Sequence, residues 1–85
     1  MTEKEKREMT EALNFLTKGN HGDWVQSDGG WYIEIADIQA GRYAAYDYFD
    51  RLVGFTDNVL IAVMFLATGK FTDTDGKVHD VRLYD

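Results

Sequence analysis

Residues 42–52 read RYAAYDYFDRL: three tyrosines, one phenylalanine and two aspartates within eleven positions. This stretch decides the fold, because the aromatics the core does not take are left for a partner. With its flanks it reads as a helix from about Gln39 to Val53, ended by Gly54. Successive residues of a helix advance about 100° around the axis, so its faces can be laid out. Ala45, Tyr48, Phe49, Leu52 and Val53 then share one arc and are the core candidates. Tyr43, Asp47 and Asp50 fall on another flank, with Tyr46 on the border between the two.

Upstream, Thr2 and Glu5 form a capping box at the start of a helix. Met9, Ala12, Leu13 and Leu16 line one face of it, and Gly19-Asn20 supplies a left-handed stop. In WVQSDGGWYIEI, Trp24 to Ile35, the pair Asp28-Gly29 separates two aromatic and β-branched runs, the signature of a β-hairpin. Beyond the turn, Trp31, Ile33 and Ile35 alternate with Tyr32 and Glu34. The period does not say whether Trp24, Tyr32 and Asp28 are packed or presented.

Downstream, VLIAVMFLA (residues 59–67) is compatible with a helix capped by Asp57 and stopped by Gly69. It has no helical periodicity, however, and its β-branched residues at 59, 61 and 63 favour a strand buried on both faces. Asp75-Gly76 marks a second hairpin turn, after which Val81 and Leu83 alternate with Arg82 and Tyr84. The expected order is therefore α-β-β-α-β-β-β, an α+β fold with two helices packed on a hairpin and a three-stranded meander. A strand apolar on both faces with helices on only one invites a second copy, so a homodimer is expected.

Eighty-five residues at 45% hydrophobic and 28% charged suit a single folded domain, residues 1–85. There is no cysteine, which excludes disulfides, thiolate metal sites and cysteine nucleophiles. The longest apolar run is nine residues, about half of what a membrane span needs, and no basic-apolar leader opens the chain. A soluble, cytoplasmic protein is expected. The net charge of −6 lies entirely beyond residue 19, and residues 20–41 carry four acids and no base. Such a surface repels phosphate backbones and attracts basic partners.

Catalytic chemistry finds little footing. Ser27 is the lone serine, and His21 and His79 are the only histidines. Neighbours on a strand point to opposite faces, so His79 would not meet Asp80. Asp73-Thr74-Asp75-Gly76 resembles the start of a calcium loop, but the terminal acid position holds Arg82. No zinc spacing and no phosphate-binding glycine loop is present. Asp47 and Asp50, with Glu34 and Asp37 nearby, are paired carboxylates better explained as exposed acids than as an acid–base pair. No enzyme, cofactor or metal is expected.

The tail from Thr68-Gly69 through Asp75-Gly76-Lys77 to Asp80 and Arg82 looks like the antiparallel strands of the cone-shaped nuclear-transport-factor-like domains. The likeness spans residues 68–82 alone and implies a small-molecule pocket. The chain is short for that fold, and no site residue is carried over.

Two functions follow. The first is a non-enzymatic binding protein that docks an acidic, tyrosine-bearing surface on a basic groove of a protein target. Anti-CRISPR and antirestriction proteins of phages and plasmids belong to that class of inhibitor. Its contact residues would be Tyr43, Tyr46, Asp47 and Asp50, with Asp28, Tyr32 and Glu34 as a second patch. The alternative is a small-ligand-binding or minimal catalytic domain, its pocket lined by Trp24, Trp31, Tyr48 and Phe65.

Overall fold

Thr2 caps the first helix, α1 (Glu3–Lys18), with both halves of the expected capping box in place. Its apolar stripe turns inward, burying Ala12 and Leu16. Gly19 ends the helix in an extended rather than a left-handed conformation. Glycine is required there for closeness: a Cβ would stand 2.6 Å from the Ile35 side chain and 2.8 Å from the Phe15 carbonyl oxygen. The computed structural model describes residues 2–36 and 42–84, with backbone alone at 83 and 84.

The expected hairpin forms from β1 (Trp24–Gln26) and β2 (Tyr32–Ile35). RYAAYDYFDRL, in contrast, is not a helix. It is the heart of a second hairpin, β3 (Tyr43–Tyr46) and β4 (Leu52–Thr56), joined through Asp47–Arg51. Residues 39–41 of the expected helix lie outside the described residues, as does Asp37.

The reason lies in the loop. Asp47 N–H donates to the Arg51 carbonyl at 3.0 Å, and Asp50 N–H donates to the Asp47 carbonyl at 3.1 Å. The Asp47 carboxylate accepts from the N–H of Phe49 (2.8 Å) and of Arg51 (2.9 Å), and from Arg51 Nε (3.0 Å). Asp50 then takes the left-handed conformation, φ 63°, which lets the chain reverse. The same backbone pattern recurs in Ser27–Trp31, with Gly30 at φ 97°, and in Asp73–Lys77, with Gly76 at φ 84°. Such a turn followed by a left-handed residue is a common three-residue hairpin connection.

The second correction mirrors the first. Residues 59–67 are not a strand but belong to α2 (Val59–Thr68), capped by Asn58 and closed by Gly69 at φ 76°. Asn58 rather than Asp57 caps it, accepting from Leu60 N–H at 2.9 Å. Asp57 instead accepts from the Arg42 N–H at 3.1 Å, tying the start of β3 to the end of β4. The premise of a doubly buried strand is thereby replaced by a helix burying Ala62, Val63 and Phe65 and exposing Leu60 and Met64.

The fold is α+β, in the order α-β-β-β-β-α-β-β. Strands β1-β2-β3-β4 form one antiparallel sheet in sequence order. The tail makes a separate two-stranded hairpin, β5 (Lys70–Thr72) and β6 (Val78–Asp80), followed by a 3₁₀ turn over Val81–Tyr84. Leu16, Ile33, Phe65 and Phe71 are its largest fully buried side chains. Both helices and Phe71 of the tail hairpin meet the same sheet face there, through Ile33, Ile35, Tyr43 and Ala45.

Candidate functional site

Strand alternation divides the four-stranded sheet into two faces. With Ile33, Ile35, Tyr43 and Ala45 turned to the helices, their neighbours turn away. The register sets Gln26, Tyr32, Tyr46 and Leu52 in one row across the outer face, and Trp24, Glu34, Ala44 and Phe55 in the next. A bulge at Ala45/Tyr46 lets Tyr46 face Leu52, with Val53 rejoining the core.

The rings on this face touch. Tyr32 and Tyr46 stack with centroids 4.9 Å apart and planes 14° from parallel. Trp24 meets Tyr32 edge-on at 5.8 Å. Two carboxylates hold the phenol ends: the Tyr46 hydroxyl donates to Glu34 Oε1 at 3.4 Å, and Tyr32 hydrogen-bonds Asp50. Burial, then the Asp50 carboxylate bonded to it, push the Tyr32 phenol up to about 12. Burial and Glu34 raise Tyr46 in the same direction. Both tyrosines therefore stay neutral donors near neutral pH, beside two acids.

The seven residues singled out from the sequence separate sharply. Tyr32, Glu34, Tyr46 and Asp50 come together on the outer face. Tyr43 does not: it is 4% exposed, and its hydroxyl donates to the Leu16 carbonyl at 3.5 Å on the helix side. Asp47, 3% exposed, is consumed by the loop it organises. Asp28 is exposed on the β1–β2 turn.

Of the residues assigned to the core from a helical projection, Ala45 is fully buried and Val53 packs against the core. Tyr48, Phe49 and Leu52 are instead exposed, and Trp24, at 55%, is presented on the outer face with the stack rather than lining a pocket. A period of two replaced a period of 3.6, which redistributes the side chains between inside and outside. The signal that could have revealed this is the likeness of Asp47-Tyr48-Phe49-Asp50-Arg51 to Asp73-Thr74-Asp75-Gly76-Lys77.

The pocket expected from Trp24, Trp31, Tyr48 and Phe65 does not form. Phe65 is fully buried, Trp24 and Tyr48 are exposed, and only Trp31 lines a cavity. That cavity, about 460 Å³, lies between α1, α2 and the Ser27–Trp31 turn. On the tail hairpin, His79 Nε2 lies 2.8 Å from Asp73 Oδ2, so its partner is across the hairpin rather than at Asp80. Among the described residues, no group of three or more histidines and acids is placed to hold a metal ion. No described helix is long and apolar enough to cross a membrane. Comparison with protein-family models, with known proteins and with solved structures found no match to this chain.

Proposed function

We propose that this chain is a non-enzymatic binding protein that docks the outer face of its sheet on a basic, nucleic-acid-binding groove of a protein target in the cytoplasm. Inhibitors of the anti-CRISPR and antirestriction type carried by phages and plasmids act in this way. The observation that carries the reading is the joined ring stack Trp24–Tyr32–Tyr46, bonded at its phenol ends to Glu34 and Asp50. Aromatic rings held rigid by stacking give contact area at little entropic cost, as binding hot spots do. The two carboxylates add charge that steers a basic partner and sets its register.

A single nucleic-acid strand also stacks on aromatic sheet faces, and such faces carry cations to meet the phosphates. Here the residues bonded to the stack are acids, which favours a protein partner. The test is affinity capture from the native host with mass spectrometry of the bound proteins, comparing the wild type with Glu34→Lys plus Asp50→Lys. Capture of a basic protein that the double variant loses at low salt is the expected result. Capture that survives both charge reversals at low salt overturns the proposal.

A further inference from the structure

The cavity on the helix side is separate from the ring stack and has a chemistry of its own. Its floor is apolar: Met9 and Ala12 of α1, Val63 and Leu66 of α2. One wall is the Trp31 indole, locked in place because its Nε1–H donates to the Phe65 carbonyl at 2.9 Å. Ser27 also lines the cavity, and its Oγ is shut from solvent without a hydrogen-bond partner among the described residues.

Charge at the rim is all of one sign. Glu5, Glu8, Glu11 and Asp28 line the cavity, and no lysine or arginine does. Glu5 is engaged with Thr2 in the capping box, and Glu8 lies 4.0 Å from Lys4 Nζ. Glu11 of α1 and Asp28 of the β1–β2 turn make no hydrogen bond or ion pair among the described residues. We propose that this cavity binds a small hydrophobic cation, an apolar body carrying one protonated amine.

The apolar body fills the floor and lies against Trp31, whose ring face also attracts cations. The ammonium sits at the rim, where the Glu11 and Asp28 carboxylates attract it. The volume falls within the range typical of small-molecule sites, roughly 300–1,000 Å³.

The test uses the full chain with Trp24→Phe, which leaves Trp31 as the sole fluorophore of its type, since the chain has two tryptophans. Phenylbutylamine, phenylbutanol and phenylbutyrate are titrated in turn, so that the apolar body is constant and only the charge changes. The expected result is saturable perturbation of Trp31 emission by the amine and about fivefold or more weaker binding of the alcohol. The carboxylate should not saturate. Glu11→Gln plus Asp28→Asn, both exposed positions, should weaken the amine about five- to tenfold and leave the alcohol unchanged.

Equal binding of all three probes overturns the proposal, as does an amine affinity indifferent to the double variant. No saturation by the amine up to about 10 mM, roughly the weakest affinity that a specific site would show, also overturns it. A lysine-bearing amphipathic peptide that binds where the amine does not would assign the groove to a macromolecule instead.

Discussion

Asp47 and Asp50 stand three positions apart and do opposite work. The buried Asp47 carboxylate accepts from two backbone donors and one guanidinium nitrogen, so its removal strips the loop of three charge-assisted hydrogen bonds. Asp47→Ala is expected to destabilise the fold by about 2–4 kcal/mol, read from urea unfolding. Asp50 carries a left-handed backbone that glycine adopts freely, and this strain is worth about 1 kcal/mol. Asp50→Gly relieves it but loses the bond to Tyr32, so the unfolding midpoint should barely move. Tyr32 itself offers a titration. Its phenol ionises at about 12 in the folded chain against about 10 unfolded, so folding favours the neutral form. That contribution is complete below about pH 10 and is lost as pH rises toward 12. Tyr32→Phe should therefore remove the last step of the tyrosinate absorbance curve, and Asp50→Asn should shift that step to lower pH.

Among the elements, the β5–β6 hairpin is the acid-sensitive one. Its hydrogen bond with His79, followed by the Lys77 N–H, holds the Asp73 carboxyl below the usual carboxylate range. Arg82 does the same for Asp80. Both shifts favour the ionised form in the fold, so the stabilisation is full above the ordinary carboxylate pKa, about 4, and falls away as pH drops below it. Amides of Lys70–Thr72 and Val78–Asp80 should lose hydrogen-exchange protection on acidification before those of β2 and β3. The β4–β5 contact is equally specific: a Cβ at Gly54 would stand 2.9 Å from the Phe71 ring and 3.3 Å from Asp73 Cβ. Gly54→Ala is expected to cost about 1–3 kcal/mol in thermal or urea unfolding, since overpacking displaces a fully buried ring. The helix α2 depends on the same core, and Phe65→Ala should cost about 3–5 kcal/mol. Its length was a usable signal, because nine consecutive apolar residues exceed the usual strand and approach a three-turn helix.

For the whole molecule, the charge of −6 and the outer face together predict salt-sensitive association. Raising ionic strength from about 0.01 M to 0.15 M shortens the screening length from roughly 30 Å to 8 Å. Capture of the proposed basic partner should therefore slow markedly, with association rates falling more than dissociation rates rise. The α+β class, the capped first helix, the turns at Asp28-Gly29 and Asp75-Gly76, and the acidic balance were all determined by the sequence alone. Each of these rests on local chemistry: a side chain reaching a nearby amide, a glycine at a positive φ, a sum of charges. Only tertiary structure decided that Val59–Thr68 is the helix and Arg42–Leu52 the hairpin. An all-apolar run has no period to read, and a stretch mixing alanine with tyrosine satisfies either period. What settles such segments is pairing with distant strands: β3 finds its hydrogen bonds in β2 and β4, while α2 packs on α1 and the inner sheet face. The site followed that choice, since the same alternation that buries Tyr43 brings Tyr46 beside Tyr32 on the outer face.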